Sequence, residues 1–197
     1  MNLRTADRLI LASTSPYRKR LLERLEVSFE TIAPAVDETP KAGESPQTLA
    51  LRLSREKALD VSAKQRDAMV IGSDQVASLD GQILRKPESE QNAIAQLSRC
   101  SNKEVQFHTG IALAKGAQVV ADECVFTSVL FRDLSGDAIL DYVKRDQPLD
   151  CAGSFRWEGL GIALFKRLTS DDPTALEGLP LIKLVSVLSK FNFNIFI

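Results

Sequence analysis

Apolar positions along the chain switch between a helical and an alternating period, and the switches mark out strands and helices in turn. The segment Arg8-Leu-Ile-Leu-Ala12 is a short apolar run that stops at Ser13-Thr14-Ser15-Pro16. Ser15 can cap a helix there and Pro16 suits its first turn, so the order is strand, loop, helix. Within that helix Arg18, Leu21, Leu22 and Leu25 follow the spacing of one helix face. Arg18 therefore lies on the inward stripe, where it needs an anionic partner, and Lys19 and Glu23 can pair outside. Residues 29–33 read as a second strand, and the proline-bounded stretch 34–40 as a loop.

Ser45-Pro46 repeats the cap-plus-proline signal and opens a longer helix in which Leu49, Ala50, Leu53, Lys57 and Val61 share one face. Lys57 is the odd member of that apolar stripe. Residues 68–71 form a fully buried strand that is expected to end at Gly72-Ser73-Asp74-Gln75, where polar side chains first appear; strand ends of this kind line clefts. Residues 76–79 and 82–84 flank Asp80-Gly81, the strongest short hairpin signal in the chain, and Arg85-Lys86-Pro87 leaves it extended. The second half predicts a helix over 88–98, a long hairpin through 105–115 and 118–131, and a helix from its cap Ser135 to 144. Small-residue turns at 151–155 and 158–161 precede an apolar run at 162–165 and a closing helix over 180–191. The expected architecture is mixed α/β, two lobes around one twisted sheet. No composition break divides it, so residues 1–197 are read as a single domain.

Composition supports one ordinarily packed unit, with 197 residues, 44% of them hydrophobic, ten Gly and eight Pro. Twenty-five basic against 26 acidic residues leave a net charge of -1, so an anion site must be local and the total balance favours neither nucleic acid nor an anionic membrane as partner. The basic run Arg18-Lys-Arg20 with Arg24 reads better as a solvated helix face than as a nucleic-acid contact. Three widely spaced cysteines fit a reducing compartment. Residues 1–7 are polar and no apolar run reaches bilayer length, so a cytosolic protein is expected.

The loop Ser13-Thr14-Ser15 opening onto a helix N-terminus offers backbone donors and hydroxyls with Arg18 one turn in, a combination that suits a phosphate and equally describes a capped surface helix. Asp37, Glu38 and Asp74 stand in loop or strand-end positions. Oxygen ligands of this type suit Mg²⁺ or Mn²⁺ bridging protein to a triphosphate, or one of them can activate water; solvated surface acids are the alternative. Lys57 and Lys86 could neutralise phosphate oxygens as pyrophosphate leaves. His108 is the one histidine and falls inside a strand, which excludes multi-His metal sites. Neither a P-loop nor a Rossmann glycine motif is present.

Several of these stretches, taken in order, resemble the Maf nucleotide pyrophosphatases. They are Ala12-Ser-Thr-Ser-Pro16 with Arg18, Val36-Asp-Glu38, Arg55-Glu-Lys-Ala58, Gly72-Ser-Asp-Gln75, Lys86-Pro87, Glu158-Gly-Leu-Gly161 and Gly178-Leu-Pro-Leu181. The likeness runs nearly end to end. It implies a mixed sheet with a deep cleft between two lobes, like that of the inosine-triphosphate pyrophosphatases, and frequent homodimers. It makes Asp74 the general base for water attack on the α-phosphorus of a nucleotide, with Glu38 and Asp74 as ligands of a divalent cation, Mg²⁺ or Mn²⁺. Base and ligand are competing roles for Asp74. Ser13, Arg18, Lys57 and Lys86 become the phosphate-binding set.

Within the family the resemblance is to the branch acting on 7-methyl-GTP rather than on dTTP and UTP, and it rests on Tyr17, Gln75 and Glu158. An aromatic face such as Tyr17 can hold a cationic guanine, and a carboxylate such as Glu158 can accept hydrogen bonds from its N1 and N2 edge. Phe155 and Trp157 could contribute or form the cleft wall. Three positions depart from the family pattern: Tyr17 replaces a tryptophan, Arg85 precedes Lys86 where Gly or Glu is usual, and Asn102 stands where Gly commonly ends a turn. The competing readings are the same chemistry on dTTP, UTP or another modified nucleotide, and a non-catalytic regulator of cell division.

Overall fold

The computed structural model describes residues 8–196 and assembles the expected succession of strands and helices into one mixed sheet. The polar start, residues 1–7, and residue 197 of the expected domain lie outside the described residues. In chain order the elements are β1 (Leu9–Ala12), α1 (Pro16–Glu23), β2 (Glu30–Ile32), α2 (Pro46–Lys64), β3 (Met69–Leu79), β4 (Gln82–Leu84), α3 (Glu90–Cys100), β5 (Glu104–Lys115), β6 (Gln118–Phe131), α4 (Gly136–Asp146), β7 (Phe165–Ser170) and α5 (Leu181–Leu188). The sheet order is β2-β1-β3-β5-β6-β7, with β4 hydrogen-bonded to β3. Strands β1, β2 and β3 are parallel, and the rest pair antiparallel.

Helix starts follow the chemistry of their caps. Ser15, Ser45, Ser89 and Ser135 each accept a hydrogen bond from a backbone N–H of the first turn, which satisfies a donor the helix itself leaves free. The third helix begins at Glu90 rather than at 88, because Glu88 adopts a left-handed φ of 62° and Ser89 takes the cap. The closing helix is shorter than its apolar pattern suggests: α5 ends at Leu188 and tightens into a 3₁₀ turn, Ser189–Phe191. The apolar run at 162–165 divides between a 3₁₀ turn, Leu160–Leu164, and the first residue of β7. Asn102 has a φ of 56°, a left-handed position where Asn is the common substitute for Gly.

The main correction concerns β3. The strand does not end at Gly72 but runs unbroken to Leu79, fusing the two strands expected at 68–71 and 76–79. Its polar middle stays in the ladder because β5 pairs continuously from Val70↔Ala114 through Asp74↔Gly110 to Ser78↔Gln106. On the other side the neighbours change. β1 pairs only as far as Ala12↔Gly72, and β4 begins at Ala77↔Leu84. Residues 73–76 therefore face a gap in the sheet between β1 and β4.

Alternation along β3 distributes the core. Val70, with Ile10, Ala12, Ala112 and Ala114, packs on Ala58 and Val61 of α2, and Val76 joins Leu49, Ala50 and Leu53 nearer that helix's start. On the opposite face Met69 and Ile71 meet Leu21 and Leu22 of α1 and Leu184 and Leu188 of α5. Ala77 and Leu79 on that same face join Leu97, Ile139 and Val143 of α3 and α4, with Phe107, Phe131, Phe155 and Phe165 in edge-to-face contact. Two apolar clusters thus share one sheet face, and the space between them lies beside the gap.

Candidate active site

A cleft of about 830 Å³ opens at the gap, and Asp74 and Gln75 contribute to its lining. Consecutive strand residues point to opposite faces. Asp74 projects to the α2 side, where it meets Lys57, and Gln75 projects to the α1 and α5 side, where it meets the 3₁₀ turn Pro173–Glu177.

On the α2 side, the apolar stripe that buries Leu53 and Val61 carries Lys57 inward until it is only 5% exposed. Its ammonium lies 2.5 Å from Asp74 Oδ1 and 2.6 Å from Glu38 Oε1. A buried ammonium is costly without such partners, and here two carboxylates supply them. Burial works against ionisation of Glu38, but the hydrogen bond and charge of Lys57, with Arg18 and Lys86 beyond, outweigh it and hold the carboxyl below its ordinary value. Arg18 finds the anion its inward position required: Nη2 lies 4.0 Å from Asp74 Oδ1, and Nε donates to the Gly178 carbonyl at 2.9 Å.

Ser13 is buried at the cleft wall, with its Oγ accepting from the Ser15 N–H at 3.1 Å. Lys86 and Arg85 are exposed at the rim. The sequence-predicted phosphate set, Ser13, Arg18, Lys57 and Lys86, thus lines one cleft. Asp37 does not join it; its carboxylate accepts from the Thr39 N–H at 2.9 Å and closes a turn.

Tyr17, Gln75 and Glu158 line the same cleft. The Tyr17 hydroxyl donates to Asp150 at 3.2 Å, and the guanidinium groups of Arg20 and Arg156 lie 5.1 and 5.9 Å from its ring centroid, so this ring already draws cations. Burial, with Cys151 and Asp150 nearby, pushes its pKa up to about 12. Gln75 is committed differently from what its type suggests: Nε2 donates to the carbonyls of Ala175 at 2.7 Å and Leu176 at 3.0 Å. Glu158 has Arg156 at 4.0 Å.

Sequence reasoning missed Glu177, Asp150 and Arg156. Glu177 is a half-buried carboxylate on the cleft wall whose pKa is raised, first by burial and then by Glu158. Trp157 offers it the indole N–H, but the geometry falls short of a hydrogen bond and leaves Nε1 buried without a partner. The one signal in the chain was the position of Glu177 directly before the Gly178-Leu-Pro-Leu181 stretch. His108 does not line the cleft; its ring packs at a tilt against Phe126, with centroids 5.4 Å apart, and burial lowers its pKa.

Among the described residues no group of three or more His, Cys, Asp or Glu side chains converges as a ready metal cage. Glu38 and Asp74, drawn together by the one ammonium, still fit a divalent cation of the Mg²⁺ type, which takes one or two carboxylates and completes its shell with water and substrate phosphate.

Residues 8–191 match the pattern of the Maf-like protein family. A 7-methyl-GTP pyrophosphatase from Pseudoalteromonas atlantica is 49% identical over 190 residues, spanning 96% of this chain and 97% of that protein. Among solved structures, a HAM1 protein from Coxiella burnetii aligns with a TM-score of 0.47 at 18% identity, over 93% of this chain and 98% of its own. The Ham1 protein of Staphylococcus aureus gives a TM-score of 0.40 at 17% identity, over 64% of this chain and 72% of its own.

Proposed function

The chain belongs to the Maf family, and on that premise we propose that it is the pyrophosphatase of 7-methyl-GTP, releasing 7-methyl-GMP and pyrophosphate. The observation that carries this reading is the division of labour at the gap in the sheet. The carboxylate of Asp74 stands among the cations Lys57 and Arg18 on one side, and Tyr17 and Glu158 line the cleft with the half-buried Glu177. A polyanion and a cationic base together match that pattern.

Lys57 and Arg18 both approach Asp74 Oδ1, which leaves Oδ2 to take a proton from water as the water oxygen attacks the α-phosphorus. The α–β bridging bond then breaks and pyrophosphate carries away the electron pair. Lys57 and Arg18 beside Asp74, with Lys86 at the cleft rim, would stabilise that charge as it develops. With Asp74 serving as the base, Glu38 would hold a divalent cation, Mg²⁺ or Mn²⁺, together with water and substrate phosphate; the cation's chemistry is to withdraw charge from phosphate oxygens. Tyr17 and Glu158 would orient the methylated guanine. The free thiols of Cys100, Cys124 and Cys151 support a cytosolic setting for this activity.

The test is pyrophosphate release from 7-methyl-GTP, GTP, dTTP, UTP and ITP with Mg²⁺ or Mn²⁺, with Asp74→Asn as the blank. Preferential turnover of 7-methyl-GTP that disappears in the variant is expected. Preferential turnover of dTTP and UTP would move the chain to the other branch of the family, and no turnover by folded protein would remove the catalytic reading.

A further inference from the structure

The two residues flanking Asp74 hold the two residues flanking Glu177. Gln75 Nε2 donates to the Leu176 carbonyl at 3.0 Å, and Ser73 Oγ lies 2.8 Å from the Gly178 carbonyl. Arg18 Nε reaches the same Gly178 oxygen, and Thr109 Oγ1 donates to Ala175 at 2.9 Å. Gly178, at φ 101°, ends the 3₁₀ turn in a left-handed conformation that a side chain would strain. Glu177 is thereby fixed in register with Asp74 although it comes more than a hundred residues later in the chain.

The side chain so placed is costly for the apoprotein. Glu177 is half-buried on the cleft wall with Glu158, which has Arg156 at 4.0 Å; burial and the charge of Glu158 outweigh Arg24 and Arg20 and raise the Glu177 pKa. Two neighbouring carboxylates in a partly dry wall repel each other until a cation comes between them. A guanine carrying a methyl group on N7 is such a cation, and its N1 and N2 hydrogens are donors for both acids. A thymine or uracil is neutral and presents carbonyl oxygens that the same acids would repel.

We infer that Glu177 is a further base-recognition residue of the cleft, beside Tyr17 and Glu158, and that Gln75, a specificity position implied by the resemblance, exerts its effect as a positioning residue, by holding the turn that carries Glu177. The inference rests on the reading of the cleft as a 7-methyl-GTP site. It also separates the two neighbours on β3, one serving the phosphate and the other, through the turn, the base.

The experiment measures kcat and KM for 7-methyl-GTP and for GTP in the wild type, Glu177→Gln, Gln75→Ala and the double variant. The preference, the ratio of the two kcat/KM values, is independent of the folded fraction of each sample. Losing a charged acceptor is expected to lower the preference about tenfold or more in Glu177→Gln, chiefly through KM for 7-methyl-GTP. Gln75→Ala should lower it as well but add little to Glu177→Gln, as expected for two residues acting through one contact. An unchanged preference in Glu177→Gln overturns the inference, as does full multiplication of the two losses in the double variant. A wild type that does not prefer 7-methyl-GTP overturns the function proposed above, and is read before any variant is made.

Discussion

Lys57 is the residue whose burial most directly joins folding to chemistry. Its ammonium sits between a buried carboxylate and a loop carboxylate, Asp74 and Glu38. Replacing it with Met keeps the stem's packing on α2 and leaves Asp74 without its closest cation. Lys57→Met is expected to lower kcat by about 100-fold or more through loss of charge stabilisation. The free energy of unfolding should fall by about 3 kcal/mol, because the charge left behind is buried. Turnover assays and urea titrations check the two effects separately. The inward placement of Lys57 and Arg18 was legible in the sequence, since helical periodicity alone puts both on apolar stripes. The commitment of Gln75 to a turn one hundred residues away was not, because local sequence carries no trace of which distant carbonyls an amide will meet.

Elements add constraints that single side chains do not. Helix α2 lies so close on β3 that a Cβ on Gly72 would come within 2.1 Å of the Ser54 carbonyl oxygen and 2.7 Å of the Ala58 nitrogen. Backbone cannot yield there as a flexible side chain would, so Gly72→Ala is expected to cost about 3 kcal/mol or more, measured as a lowered denaturation midpoint. The loop before α2 is tied down electrostatically. Arg52 bonds Glu44 at 2.7 Å, and that hydrogen bond, with one from the Lys41 N–H, takes the Glu44 pKa from 4.5 to about 2. A carboxyl depressed in the folded state binds protons more readily once unfolded, so its stabilisation is complete above its ordinary pKa and is lost as pH falls toward the folded value. Melting temperatures followed from pH 5 down to about 2.5 should drop more steeply for wild type than for Glu44→Gln. Caps and the Asp80-Gly81 turn made most elements readable from the chain. The continuity of β3 was hidden because the polar run 73–75 breaks the apolar pattern of a buried strand, and only the partner β5 shows that it remains in the ladder.

At the scale of the whole molecule the sheet has one long unsheltered margin. β7 pairs with β6 only from Thr127 to Phe131, so among the described residues 118–126 have no strand on the side away from β5. An open margin of that length invites pairing with another chain. Near its middle stand Asp122, bonded to Arg55, and Glu123, 3.9 Å from Lys183; two copies paired antiparallel about this point would bring like charges together. Asp122→Val with Glu123→Val is therefore expected to form larger species than the wild type in size-exclusion chromatography with light scattering, and unchanged elution would reject a guarding role for the two acids.

The unbroken course of β3 also separates what is slow from what is quick. Amides of its central ladder should exchange hydrogen only when the sheet itself comes apart, whereas those of the turn at 157–159, which bears Glu158, can exchange through local opening. On the function proposed above, the base Asp74 is thus seated in a strand paired with β5 from Val70 to Ser78, and Glu158 in a turn outside the sheet. A substitution in that turn can therefore change how a base is held without disturbing the strand that carries the proposed base Asp74.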